Sequence, residues 1–436
     1  MVLCGLITLK SAPCALQGFG ILKYQKECCS VLMLGVEPIR QSSAFLISTT
    51  VEATVMAASF SPECLRVLTL LARSRNVLLT GAPGTGKSKL LAEVGLAFES
   101  AYGVSPVGGA PHLKPIGGIP IPPVITGTVK GIPASTKIDR KVFRTVFHQS
   151  SKYRDFVSGI TPAVNKAAGA ADFVIVKGTL YRASEHAKMP NGAALLIIDE
   201  INRGPAVQVF GGAIVAIESD KRLASDGSKR AETQFFELLN PVTGELAEYA
   251  LPHDLYILAA MNQADASVEP LDVAFLRRWE PLRLEPDQAA LRHFYDLGAK
   301  QDTVLPEVPI SAADAFEASV QAWEAVNEQI ALGRGPEFQI GHGVLMSEVK
   351  SHVITMPEAL GMLCVGWAKV RAHVEEVFFG DVRGIAATFN ALDGPAFNPF
   401  KFSETTFAND LRFKLDGPAN LTETNIYAAL RAFARG

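Results

Sequence analysis

The stretch that most constrains this chain is Gly81 to Ser88, GAPGTGKS, set between an apolar run (Asn76 to Thr80) and a helix-like run (Leu90 to Phe98). The pattern G-x-x-x-x-G-K-[ST] between a strand and a helix is a phosphate-binding loop. Gly81, Ala82, Pro83, Gly84, Thr85 and Gly86 form the turn, with glycines letting backbone amides face a triphosphate without a side chain in the way. Lys87 is expected to reach the β- and γ-phosphates and Ser88 to ligate Mg²⁺, and the following helix N-terminus adds its attraction for anions. A plain glycine turn would leave Lys87 and Ser88 unexplained.

A second stretch, AALLIIDEINR (Ala193 to Arg203), reads as a strand buried on both faces of a parallel sheet, with Asp199 and Glu200 at its C-terminal end. Open α/β sheets bind ligands at that end. Asp199 is expected to hold the Mg²⁺ directly or through water, and Glu200 to orient and deprotonate a water attacking the γ-phosphate. A third strand, Leu255 to Met261, would carry Asn262 to the same point, where a polar tip positions the nucleophile. Arg277 and Arg278 follow an amphipathic stretch. Adjacent arginines often only make salt bridges, but in a ring one can reach a neighbouring subunit's nucleotide.

At 436 residues the chain holds about two to three domains. With 48% hydrophobic residues, 19% charged residues and a net charge of −3, it lacks the basic excess of a stand-alone nucleic-acid binder. The local cluster Lys137, Arg140, Lys141, Arg144, Lys152 and Arg154, offset by Asp139 and Asp155, reads as a solvated face. Residues 1–55 hold Cys4, Cys14, Cys28 and Cys29 without a zinc or disulfide spacing and show no clean period, so they are left as an unassigned extension, the working protein being expected to begin near Met56. Glu52 would cost roughly 2.5–3.5 kcal/mol at the centre of a membrane span, so no span is expected there. Cys64 and Cys364 read as buried thiols, and a cytoplasmic setting is expected.

The α/β nucleotide-binding part is expected over residues 56–285, opening with a helix from Ser61-Pro62-Glu63 whose apolar face is Leu65, Leu68 and Leu71. It carries a Gly- and Pro-rich insertion over 103–133. A helical lid is expected over 286–394, with Ser311 and Asp314 capping a helix that turns Phe316, Val320, Trp323, Val326 and Ile330 to one face. The tail, 395–436, carries Phe397, Phe400, Phe402, Phe407 and Phe413 at irregular spacing and serves either packing or docking.

The order GAPGTGKS, LLIIDEINRGP, MNQAD and FLRRW resembles the AAA+ ATPases, and within them the McrB-type branch of modification-dependent restriction complexes. FHQSSKYRDFVSGITP (Phe147 to Pro162), GGAIVAIESDKR (Gly211 to Arg222), GRGPEFQIGH (Gly333 to His342) and HVEEVFFGD (His373 to Asp381) also fall in that branch's order, over roughly Leu65 to Leu392. The resemblance implies a P-loop α/β domain with a helical lid, Mg²⁺-dependent hydrolysis of ATP or GTP, a homo-oligomeric ring, expected to be a hexamer, and a companion nuclease-type subunit, with any DNA contact indirect. It assigns Lys87, Ser88, Asp199, Glu200 and Asn262 to nucleotide and catalysis, Arg278, and less closely Arg277, to the trans-acting arginine, and Asn202 and Arg203 to the INRG element. Arg334 and His342 could sense nucleotide state or serve capping and packing. Asp265 survives from the branch's MNTADRS element, linked to guanine choice, whereas Gln263 and Ala266 depart from it, which leaves the base open and keeps a MoxR-like remodelling ATPase as the alternative.

Overall fold

The computed structural model describes residues 60–100, 133–134, 136–163, 173–264, 271–299, 304–346 and 355–434. The extension 1–55, with its four cysteines, lies outside them, as do all of the 103–133 insertion but Pro133, and Asp265 and Ala266.

In chain order the first part runs α1 (Pro62–Ser74), β1 (Asn76–Gly81), α2 (Lys87–Ser100), β2 (Asp139–Val146), α3 (Tyr153–Phe156), β3 (Ser158–Pro162), β4 (Phe173–Lys177), α4 (Thr179–Lys188) and β5 (Gly192–Asp199). It continues through α5 (Ala206–Phe210), α6 (Ala213–Ala216), β6 (Phe236–Leu239), β7 (Leu246–Tyr249), β8 (Leu255–Ala260), α7 (Val273–Leu276) and β9 (Glu280–Leu284). After these come α8 (Gln288–Phe294), α9 (Ala312–Gly333), α10 (Met356–Val377), α11 (Val382–Thr388), β10 (Lys401–Phe407), β11 (Asp410–Asp416) and α12 (Ile426–Phe433).

Among the described residues the main sheet is five-stranded in the order β2-β5-β8-β1-β9, all parallel. Its central strands bury both faces, and the two-residue side-chain period divides each strand between two cores. On β5, Ala194, Leu196 and Ile198 face one core while Ala193, Leu195 and Ile197 face the other. On β8, Leu255, Ile257 and Ala259 separate likewise from Tyr256, Leu258 and Ala260. The second core is closed by α1 and α2. These layers make the fold an α/β parallel sheet flanked by helices.

Three local expectations differ from the structure. Helix α1 begins where Ser61, Pro62 and Glu63 place it, with the Ser61 side chain accepting from the Cys64 amide, but its buried face is Cys64, Val67, Leu68 and Leu71. Leu65 is turned outward, 36% exposed, because the i, i+3, i+4, i+7 stripe starts one residue earlier. The basic cluster is not wholly solvated either. Alternation along β2 turns Arg140 inward, where its guanidinium lies 4.1 Å from the Phe98 ring centroid and donates to the Phe98 and Ala134 carbonyls. Burial pulls Arg140 down to about 10. Cys64 is buried as read, whereas Cys364 is only partly so.

A third core joins α8, α9, α10 and α12. Ser311 and Asp314 form a capping box on α9, and Phe316, Val320, Trp323, Val326 and Ile330 are all buried. Trp367 of α10 donates its indole N–H to Ser319 Oγ at 2.8 Å and packs on Phe433 of α12. Of the irregularly spaced phenylalanines, Phe400 is buried against Phe389 and Phe433, while Phe407 is 68% exposed.

Candidate nucleotide site

Parallel register brings the tips of β5, β8 and β1 to one edge: Ile198 pairs with Ala259, and Leu79 with Ala260. At that edge the phosphate loop turns through left-handed glycines, Gly84 at φ 79° and Gly86 at φ 86°, before α2 starts at Lys87. Thr85 closes the turn by donating to the Ala82 carbonyl at 2.9 Å. Lys87 is buried, and its Nζ donates to the Gly81 and Ala82 carbonyls at 2.8 Å each. Burial brings its ammonium down to about 8, against the opposing pull of Glu200 and Asp199. The loop thus holds its own cation inward, and a triphosphate would take over from the two carbonyls.

Asp199 ends β5, and Glu200 follows in the left-handed region at φ 52° and ψ 45°. A non-glycine residue there costs of order 1–2 kcal/mol, a strain that clusters at functional sites. The turn sends Glu200 towards β8, where Asn262 Nδ2 donates to Glu200 Oε1 at 2.9 Å. Asn202 in turn donates to the Asn262 carbonyl at 2.9 Å. The other oxygen, Glu200 Oε2, has Arg203 Nε at 3.3 Å as an ion-pair partner but accepts no aligned hydrogen bond from the protein, although it is buried. One oxygen is therefore fixed by Asn262, while the other faces Arg203 and makes no hydrogen bond within the chain.

A cavity of about 770 Å³ gathers Gly84, Gly86, Lys87, Ser88, Asp199, Glu200 and Asn262. The Glu200 amide donates to Asp199 Oδ1 at 3.0 Å. Among the described residues no cluster of three or more His, Cys, Asp or Glu is placed to hold a metal. The Ser88 hydroxyl and the Asp199 carboxylate are nevertheless hard oxygen donors that both line the cavity, which fits Mg²⁺ bound largely through phosphate oxygens and water.

The two adjacent arginines have different surroundings. Arg278 Nε stands 2.9 Å from Glu218 Oε1, its side chain 8% exposed, and its Nη1 donates to the Ala274 carbonyl within the same chain. Arg277 is exposed. Arg334 and His342 also part company: His342 lines the cavity, whereas Arg334 lies over the Phe378 ring, 3.7 Å from Asp381.

The motif segments converge. Gly204 of the INRG element lies where a Cβ would stand 2.8 Å from the His148 carbonyl oxygen, so the FHQS and INRG backbones touch. Tyr153 covers Gly211, itself at φ 51°. Phe147, Phe156 and Phe210 form one aromatic cluster beneath them. Arg222 is fully buried and donates to the Ile217 and Leu255 carbonyls and to Asn76 Oδ1, tying that segment to the start of β1.

Several cavity residues escape local sequence reading: Lys89 on α2, Ala290, His293 and Phe294 on α8, and Met346. The Tyr295 ring, stacked on Phe316 at 4.3 Å, backs Phe294. Only the apolar spacing of α8 hints at them.

No helix among the described residues is long and apolar enough to cross a membrane. Residues 132–279 match the AAA domain family (dynein-related subfamily). The chain is 25% identical over 354 residues to the Escherichia coli type IV methyl-directed restriction enzyme EcoKMcrB subunit, covering 79% of this chain and 62% of that protein. It is 32% identical over 227 residues to the Bacillus subtilis type II restriction enzyme BsuMI component YdiS, covering 50% of this chain and 60% of that one. The chain thus spans about 60% of the length of these curated relatives. These matches show an AAA-family domain over residues 132–279 and, with the fold, support a likeness to McrB-type AAA+ proteins.

Proposed function

We propose that this McrB-like AAA+ protein hydrolyses ATP or GTP with Mg²⁺ as the motor subunit of a restriction or defence complex. The observation that carries the reading is the convergence of Lys87, Ser88, Asp199, Glu200 and Asn262 on one cavity, with Asn262 bonded to Glu200 at 2.9 Å.

Lys87 and the amides of the glycine loop hold the triphosphate. Ser88 and Asp199 would hold the Mg²⁺, which supplies charge neutralisation on the phosphate oxygens when bound. Glu200, with Oε1 fixed by Asn262, orients a water and takes its proton as the water oxygen bonds to the γ-phosphorus. The bond to the β–γ bridging oxygen breaks, releasing a diphosphate and inorganic phosphate. The wall formed by α8 and Met346 faces the remainder of the nucleotide, and Asp265 is proposed to contribute to base choice.

A homo-oligomeric ring, proposed as a hexamer, lets an arginine of one subunit complete the next subunit's site. Because Arg278 is engaged with Glu218 in its own chain, Arg277 is the better placed of the pair for that role. The two relatives are named as a subunit and a component of restriction enzymes, which supports a companion nuclease-type subunit; a cytoplasmic setting and indirect contact with DNA are proposed with it.

The test is phosphate release from ATP and from GTP by the full chain and by Lys87→Ala. Turnover of either nucleotide by the wild type alone supports the proposal. Equal turnover by both proteins would show that the activity belongs elsewhere.

A further inference from the structure

Asn76, the first residue of β1, is buried and has both of its side-chain N–H donors in use. Its Nδ2 donates to the Ile217 carbonyl at 2.8 Å and to the Arg278 carbonyl at 3.2 Å, while its Oδ1 accepts from Arg222 Nη2 at 2.6 Å. Arg222 is equally buried, and its remaining donors go to the Ile217 and Leu255 carbonyls. These partners are all neutral, and burial, with Arg75 nearby, pulls the Arg222 guanidinium down to about 9. A buried cation held only by neutral acceptors is costly, so each of these bonds is expensive to leave unmade.

The network fixes the turn that follows α7. The Arg278 carbonyl is bonded to Asn76, and the Arg278 side chain stands 2.9 Å from Glu218, the residue after Ile217. Arg278 is therefore tied to the segment Ile217-Glu218 twice, by its backbone through Asn76 and by its side chain directly. On the other side, Trp279 is buried against Phe210 and Phe275. Arg277, between α7 and these anchors, is the exposed residue of the turn. Strand β1 runs from Asn76 to Gly81, so the arginine turn lies at its start and the phosphate loop at its end. At roughly 3.3 Å per residue those ends are about 17 Å apart, which directs Arg277 away from its own phosphate loop and towards a neighbouring copy.

We propose that Asn76 and Arg222 are positioning residues for the inter-subunit arginine: they hold the turn that presents Arg277 to the nucleotide of the next copy. Neither residue lines the chain's own nucleotide cavity, and both act through the Arg278 carbonyl. The inference rests on the ring reading given above.

The experiment mixes whole variant chains in pairs and reads phosphate release from ATP and GTP. Asn76→Asp keeps the shape of the side chain and its acceptance from Arg222 but no longer donates to the Arg278 carbonyl. Arg222→Met, of similar length, releases Asn76 from the other side. A misplacement of about 1 Å lowers turnover by about 10²-fold. Each variant alone is expected to lose turnover on that order, with unchanged affinity for fluorescent N-methylanthraniloyl ATP and GTP. Mixed with Glu200→Gln, each should recover part of the activity, because it keeps a working base and receives Arg277 from its partner. Mixed with Arg277→Ala, neither should recover, because no subunit then presents the arginine. Recovery with Arg277→Ala but not with Glu200→Gln would place the defect in the chain's own site and overturn the inference. Weakened nucleotide affinity, no recovery with either partner, or turnover at the wild-type rate would overturn it as well. Failure of Arg277→Ala and Glu200→Gln to complement each other would instead sink the ring reading, and this inference with it.

Discussion

Asn262 Nδ2 donates to Glu200 Oε1 at 2.9 Å across the gap between neighbouring strands β8 and β5. The bond fixes one carboxylate oxygen from a strand tip, and the other is ion-paired with Arg203 Nε at 3.3 Å. Asn262→Ala is expected to lower kcat by about 10–100-fold with nucleotide affinity retained, since the group lost acts on the base and not on the phosphates. Equal losses in affinity and rate, read by parallel binding and turnover measurements, would count against it.

Asn262→Asp places a second carboxyl group beside Glu200. Like charges at this distance raise the proton affinity of the pair. The acid limb of the pH–rate profile is therefore expected to move to higher pH, because the base is lost below a higher value. An unmoved limb would mean the two side chains are not coupled in the working enzyme.

Arg277 and Arg278 should separate by assay. Arg278→Ala removes the Glu218 pair within the chain and is expected to lower the melting temperature. Arg277→Ala should keep that temperature and lose about 10³-fold or more in turnover by the assembled protein. Mixing Arg277→Ala with Glu200→Gln should restore part of the activity, since each supplies what the other lacks across an interface. No recovery on mixing would place the arginine's action within its own chain.

Lys87 links the site to pH in two opposite senses. Its folded value, about 8, lies below the ordinary lysine value of 10.5. Between these two values the unfolded chain binds more protons, so the free protein should gain stability as pH rises through that window. Over the same rise the loop loses the charge that attracts phosphate, so nucleotide affinity should fall. Denaturant melts and binding titrations from pH 7 to 10 read both, and Lys87→Met should flatten both trends.

Gly341→Ala forces a methyl group into the Gly84 backbone. A cost of about 1–3 kcal/mol is expected from the displacement. Loss of nucleotide affinity should accompany it, because the displaced backbone belongs to the phosphate loop.

The residues that line the candidate cavity were legible in the sequence wherever they are contiguous. A glycine loop after an apolar strand, a carboxylate pair ending another, and Asn262 at a third tip each mark their place in the cavity locally. What could not be read depends on contacts distant along the chain. Leu65 faces outward because Cys64 and Val67 match the core better. Arg140 is buried because Phe98 and Ala134 lie under β2, and Arg278 is engaged because Glu218 comes alongside it. His342 stands over the loop because Asn327, fifteen residues earlier on α9, fixes Ile340 while the Pro83 and Gly84 carbonyls hold Gly341 and Gly343. Asp265, on which the base reading leaned, lies outside the described residues.

Whether Glu200 is the hydrolytic base is tested most directly by comparing Glu200→Gln with the wild type in nucleotide binding and phosphate release. Both proteins are expected to bind ATP or GTP tightly, with release lowered by about 10²–10⁴-fold in the variant. Release at the wild-type rate by Glu200→Gln would contradict it.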